Sequence, residues 1–126
     1  MKLTTFLLVA LLAGLCSGCS EGKARVKGKI VENSQPMTFG ANQAALELTP
    51  IGPGGEADSN KMVGAVVNAD GTFEVVASGG ELPPGKYQIA FRGYGKLESK
   101  YKAVPPFQRE LKSGTNELTL DLAKPD

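Results

Sequence analysis

Glu117-Leu118-Thr119-Leu120-Asp121-Leu122, written ELTLDL, sets three leucines against three polar residues in strict alternation. Successive side chains of a β-strand point to opposite faces, so the leucines share one face and Glu117, Thr119 and Asp121 the other. Such a period marks a half-buried antiparallel strand, apolar towards a core and polar towards water. The same alternation runs upstream. Tyr87, Ile89 and Phe91 align in residues 86–92, Phe73 and Val75 in 72–76, and Leu46 and Leu48 in 45–50. In residues 25–32, Val26 and Ile30 share one face while Arg25, Lys27 and Lys29 take the other. Residues 62–68, MVGAVVN, form a less regular strand and 107–112 a weaker one. No window keeps helical spacing long enough to define a helix. About seven strands result, as expected of an immunoglobulin-like sandwich. The fold class expected is therefore all-β, a seven-stranded antiparallel β-sandwich.

The turns agree with that reading. Asn68-Ala69-Asp70-Gly71 separates two strands, and Asp-Gly is a strong hairpin signal because both residues tolerate positive φ. Pro83-Pro84-Gly85 predicts a type II-like turn, with proline fixing one φ and glycine supplying the positive one. Ser113-Gly114 breaks the last two strands. The chain carries 16 glycines and 8 prolines, spread between apolar runs as short strands joined by turns require. Two connections are longer, residues 51–61 and 93–106, and long loops on rigid scaffolds often carry function.

The N-terminus reads differently. After Met1-Lys2 comes the apolar run FLLVALLAGL, residues 6–15, too short for the roughly 20 residues a membrane helix needs. A positive start, a short apolar run and small residues after it are the pattern of a secretory signal peptide. Both cysteines follow, in Leu15-Cys16-Ser17-Gly18-Cys19-Ser20. Cys16-Ser17-Gly18-Cys19 resembles the bacterial lipobox, Leu-[Ala/Ser]-[Gly/Ala]-Cys, with Cys16 where leucine is usual. The resemblance implies a lipoprotein signal peptide over 1–18, lipidation at Cys19, a short tether to residue 24 and one domain over 25–126. A zinc site would need four ligands, whereas the chain has two cysteines and no histidine. A thioredoxin-like C-x-x-C would need a βαβ context, and nothing helical follows.

Charge narrows the partners. Of 14 basic and 13 acidic side chains, one basic residue, Lys2, falls in the signal, so the remainder balances. Nucleic acid would want a basic stripe, and none is expected as a partner. The absence of tryptophan thins the case for a stacking platform.

The ordered landmarks carry a wider resemblance. A first strand VKGKIVE is followed by Gln35-Pro36-Met37, Leu46-Glu47-Leu48-Thr49-Pro50 and Asp70-Gly71-Thr72-Phe73. Pro83-Pro84-Gly85-Lys86-Tyr87, Lys100-Tyr101 and residues 111–118, LKSGTNEL, complete the series. This order is similar to small lipoproteins of the planctomycete type, whose single domain is called carboxypeptidase regulatory-like or transthyretin-like. The resemblance implies a seven-stranded β-sandwich outside the cytoplasm with no established reaction. In larger proteins of this kind the module accompanies catalytic domains as a folding or interaction accessory. Asn33-Ser34-Gln35 departs from the family, where Asp-Gly-Lys is frequent.

Chemistry-bearing patterns are few. Transthyretin-like folds include a hydrolase of 5-hydroxyisourate that relies on histidines and a C-terminal Tyr-Arg-Gly-Ser. This chain lacks histidine and ends Leu-Ala-Lys-Pro-Asp. No Ser-His or Cys-His pair is possible, and Glu47, Glu74, Glu117 and Asp121 fall on predicted solvent faces. Gly52-Pro53-Gly54-Gly55 and Gly93-Tyr94-Gly95-Lys96 lack P-loop spacing and read as flexible loops. A calcium loop with Gly71 sixth would place Val66 and Ala77 at ligand positions they cannot fill. The expectation is no catalytic residue, no cofactor and no metal.

One stretch stands apart: residues 92–109, RGYGKLESKYKAVPPFQR. Arg92, Lys96, Lys100, Lys102 and Arg109 outnumber Glu98, with Tyr94 and Tyr101 interleaved. Tyrosine suits interfaces because it buries a ring and keeps a wet hydroxyl. Arg92, Tyr94, Lys96, Lys100, Tyr101 and Lys102 are the candidate partner-binding residues, for an anionic glycan, a lipid head group or a protein. The plainer alternative is a solvated crossover with Tyr101 and Phe107 packed against a sheet edge.

The function expected is an exported, lipid-anchored β-sandwich at the cell envelope, on the periplasmic face or cell surface, with a non-catalytic binding or structural role. One alternative is a carbohydrate-binding accessory module using Tyr94, Tyr101 and Phe107. Another is a structural envelope protein that self-associates through an edge strand, residues 118–122 or 26–30. A hydrolase of the transthyretin-like type is the last.

Overall fold

The computed structural model describes residues 22–125, so the signal peptide assigned to 1–18 and the lipidation of Cys19 lie outside the described residues. Strand β1 (Ala24–Glu32) forms where the sequence alternates, with Val26 and Ile30 buried and Arg25, Lys27 and Lys29 exposed. There follow β2 (Gln35–Pro36), β3 (Ala44–Pro50), β4 (Val63–Val66), β5 (Thr72–Glu74) and β6 (Gly85–Gly93). A short helix α1 (Lys96–Tyr101) precedes β7 (Phe107–Leu111) and β8 (Gly114–Asp121).

The strands make two sheets. In the first, β8 runs along one edge of β1 from Ala24↔Gly114 to Val31↔Asp121. The other edge of β1 is shared, β5 facing residues 27–29 and β2 facing residues 31–32. The second sheet has the order β4-β3-β6-β7, antiparallel throughout. Their apolar faces enclose one core, to which β1, β5 and β8 give Val26, Ile30, Phe73 and Leu120, and the second sheet gives Leu46, Leu48, Ile89 and Phe107. The domain is all-β and sandwich-like.

The sequence-based count changes in three places. Eight strands form among the described residues instead of seven, the addition being β2, two residues that close a hairpin onto the end of β1. The pairing is not wholly antiparallel: β8 lies parallel to β1. The reason is topological, since β7 descends beside β6 and the turn at residues 112–113 sends β8 back up in the direction of β1. Residues 26–30 are consequently central in their sheet and offer no edge, whereas β8 pairs with β1 alone among the described residues.

Turn chemistry also redistributes. Asp70 keeps negative φ and only Gly71 (φ 85°) is left-handed, in a turn closed by the Gly71 amide donating to the Asn68 carbonyl at 2.9 Å. A Cβ at Gly71 would meet the Met37 carbonyl oxygen at 2.5 Å, so glycine is required there twice over. Asn33-Ser34, at φ 52° and 66°, instead forms a turn with two left-handed non-glycine residues.

The strand directions define two poles. At the first, Ala24 exchanges backbone hydrogen bonds with Leu82 (2.7 and 2.8 Å), and the Gly114 amide donates to the Lys23 carbonyl at 3.0 Å. At the opposite pole the Phe39 amide donates to the Ala69 carbonyl and the Tyr94 amide to the Gln43 carbonyl, both at 2.9 Å. The poles are separated by the length of β1, roughly 26 Å at about 3.3 Å per residue step.

Candidate functional site

The second pole carries the stretch singled out by its charge. β7 accompanies β6 only as far as Ile89↔Phe107, so among the described residues Ala90–Gly93 has a strand neighbour, β3, on one side alone. The connection between β6 and β7 folds over that vacant edge. Gly95 (φ 63°) turns the chain into α1. A Cβ at Gly93 would meet the Leu97 Cβ at 2.8 Å and the Leu97 carbonyl at 2.9 Å. Glycine at 93 therefore lets α1 seat directly on the end of β6.

The underside of the helix is apolar. Tyr101 is buried, and Leu97 and Val104 pack against the core with it. The Tyr101 ring meets Phe91 edge-on at 5.6 Å, and Phe91 meets Phe39 at 5.9 Å, an arrangement that aromatic quadrupoles favour. These three rings close the core at this pole. The Tyr101 hydroxyl donates to Glu32 Oε1 at 3.2 Å, tying a helix of the second sheet to the end of β1 in the first. Lys100 Nζ lies 5.2 Å from the Tyr101 ring centroid. The Tyr101 hydroxyl, by hydrogen bonding and charge, and the Glu32 carboxylate behind it hold the Lys100 ammonium above the ordinary lysine value.

Between β6 and α1 remains a cleft of about 310 Å³, lined among others by Phe91, Arg92, Tyr94, Glu98, Tyr101 and Lys102. Arg92 Nε donates to Glu47 Oε1 at 2.9 Å, which fixes the guanidinium plane and leaves its terminal N–H groups without a partner among the described residues. Glu98 and Lys102 stand at i and i+4, the spacing that favours an ion pair on a helix. Neither forms an ion pair among the described residues. Tyr94 is 49% exposed at the rim, its amide donating to Gln43 and its carbonyl accepting from the Leu97 amide at 3.2 Å.

Of the six candidate residues, Arg92, Tyr94, Tyr101 and Lys102 line the cleft, Arg92 with its Nε held by Glu47 and Tyr101 with its hydroxyl on Glu32. Lys96 and Lys100 are exposed on α1 but do not line it. Tyr101 and Phe107, at 5% and 0% exposure, belong to the core, so Tyr94 is the single exposed ring of the three considered for a sugar platform. Glu98, noted only as the minority charge of its stretch, and Gly93, placed in a flexible loop, are not among the candidate residues. The signal for α1 was present in Leu97, Tyr101 and Val104, apolar at i, i+4 and i+7, but a helix of six residues is shorter than the window in which such spacing registers. Gly93-Tyr94-Gly95-Lys96, read as a flexible loop, is a strand end leading into a helix.

The other carboxylates singled out have structural partners or face water. Glu117 pairs with Lys27 at 3.4 Å, Glu74 is exposed, and Asp121 accepts from the Asn33, Ser34 and Ala123 amides. Among the described residues no group of three or more potential metal ligands converges, and no helix is long and apolar enough to cross a membrane. No protein-family model, curated protein or solved structure matches the chain.

Proposed function

We propose that this is an exported, lipid-anchored β-sandwich that binds a partner in the cell envelope through the β6–α1 cleft, without catalysis. The observation that carries this reading is the convergence of Arg92, Tyr94, Glu98 and Lys102 on one cleft, where Glu98 and Lys102 form no ion pair among the described residues and Arg92 is paired with Glu47 through Nε alone. A non-catalytic role is supported by the lack of histidine and by the engagement of Glu47, Glu117 and Asp121 in pairs and turns. The transthyretin-like or immunoglobulin-like class is supported by Tyr87 at the start of β6. Its hydroxyl donates to the Pro83 carbonyl at 2.8 Å, a back-bond of the kind that marks the tyrosine corner in Greek-key sandwiches.

The anchor is tested by Cys19→Ser, which should move the protein from the membrane to the soluble fraction of the native cell; unchanged fractionation would exclude lipidation at Cys19. The cleft is tested by amine crosslinking in intact cells and mass spectrometry. One dominant heterologous partner joined through Lys96, Lys100 or Lys102 is the expected result. Self-crosslinks centred on Lys112 or Lys124, which flank β8, would instead favour the structural reading, since β8 leaves one edge open.

A further inference from the structure

Resting on that reading, we infer that the cleft faces away from the anchoring membrane and takes a carboxylate-bearing sugar unit of an acidic glycan. The orientation follows from topology. Cys19 is three residues upstream of Gly22, so it lies within about 11 Å of it at full extension. Gly22 is fixed at the first pole, where its carbonyl accepts from Ser113 Oγ at 3.2 Å. The cleft is at the other pole, beside Glu32, at the far end of β1. A lipid on Cys19 therefore brings the Ala24 pole to the bilayer and holds Arg92, Tyr94 and Lys102 roughly 26 Å further out, the length of the strand. That separation exceeds the Debye length of about 8 Å at physiological salt, so head groups of the same membrane act only weakly on these cations.

The ligand class follows from the lining. An acidic sugar needs a cationic fork, a ring to stack on and an acceptor for hydroxyls. Arg92 offers terminal N–H groups in a plane fixed by Glu47, and such a fork binds carboxylates with two parallel hydrogen bonds. Lys102 adds a second cation, the Tyr94 ring an apolar face, and Glu98 an acceptor. A volume of about 310 Å³ is at the small end of ligand sites, suited to one sugar unit of a chain entering from the open side. A protein partner would bury about 800 Å² on each side, with apolar anchors at its centre. Among the described residues, the exposed large apolar side chains other than Tyr94 are Met62, Val66 and Val76. They lie on or beside β4, which β3 separates from β6.

The test uses the full chain, purified with its lipid and reconstituted in phosphatidylcholine vesicles. The probes are polygalacturonate and its methyl-esterified form, which share a backbone and differ in charge. Vesicle-bound protein should retain polygalacturonate, bind the ester at least about tenfold more weakly and release the acid form as salt rises. Arg92→Gln with Lys102→Gln should lower binding by about tenfold or more, and Tyr94→Ala, at an exposed site, should lower it without altering the fold. Lys23→Gln with Lys112→Gln, at the membrane pole, should leave it unchanged.

Equal binding of acid and ester, or full binding by the Arg92/Lys102 double variant, overturns the site. Polyglutamate bound as tightly as polygalacturonate overturns the sugar class. Amine labelling of Lys96 and Lys102 suppressed by phosphatidylglycerol vesicles alone, with no polymer present, overturns the orientation. If neither polymer binds while crosslinking still captures one envelope protein through these lysines, the glycan inference falls and the proposed binding function stands. If Cys19→Ser stays membrane-bound, the anchor falls and takes the orientation with it.

Discussion

Asn33 and Ser34 occupy left-handed backbone without being glycine, a conformation that costs most residues about 1 kcal/mol or more. What holds them is distant in sequence. The Asp121 carboxylate accepts the Asn33 amide at 2.9 Å through one oxygen and the Ser34 amide at 3.0 Å through the other. The Ala123 amide adds a third donor at 2.9 Å. Partial desolvation raises the Asp121 pKa, but the amides of Ala123, Asn33 and Ser34 and the charge of Lys124 outweigh it, so the group sits below the ordinary carboxylate value. Asp70 is lowered too, chiefly by the Thr72 hydroxyl at 2.6 Å and then by the Thr72 amide at 3.0 Å. A carboxylate with a depressed folded pKa stabilises the protein fully above its unfolded value of about 3.9, and the benefit disappears as pH falls through the folded value. Denaturant midpoints measured between about pH 6 and pH 2 should therefore fall on the acid side. Asp121→Asn should lower the midpoint at neutral pH and flatten that acid limb; an unchanged limb would show that the carboxylate contributes nothing to the turn. The alternation ELTLDL put Asp121 on a solvent face, which is where it lies. Its role as the cap of a hairpin some 90 residues earlier follows from β8 pairing with β1, which no local pattern encodes.

At the scale of elements, the clearest legibility was in the strands. All seven expected strands form, because alternation of apolar and polar residues reports directly which side of a half-buried strand faces the core. The helix was not legible, and the candidate site depends on it. Tyr101 looked like a recognition residue because tyrosine beside lysines suits an interface; the fold buries its ring against Phe91 and leaves Tyr94 at the rim. Gly93 is the hinge of this arrangement. In Gly93→Val the side chain cannot share space with Leu97, so α1 should lift from β6, with a loss of about 1–3 kcal/mol as for other overpacked sites. Amide exchange over residues 96–101 should quicken while β3 and the body of β6 stay protected, and crosslinking through Lys102 should fade. Protection of 96–101 equal to that of the native chain would show that α1 does not depend on contact at Gly93.

The whole molecule is held by one apolar cluster shared between the sheets, so neither sheet has a core of its own. Unfolding should be a single transition, with far-UV and near-UV signals superimposing. Phe107, fully buried at the start of β7, touches the prediction most directly. Phe107→Ala should cost about 3–5 kcal/mol, a large part of the 5–15 kcal/mol typical of a domain, and should shift both signals together. Separate transitions for the two sheets would contradict a shared core. The same architecture sets the polarity of the molecule, since β1 begins at the pole of Gly22 and ends beside the cleft.

The sequence by itself determined that the chain is all-β, where its strands lie and which faces they bury, because these are local properties of period-two alternation and turn residues. It also pointed to residues 92–109 through their charge. Tertiary structure alone decided that β8 runs parallel to β1, that Asp121 holds the Asn33-Ser34 turn, and that Arg92, Tyr94, Glu98 and Lys102 share one cleft at the pole opposite Ala24. Those are outcomes of pairing between segments far apart in the chain, and only the packing of both sheets around one core selects them.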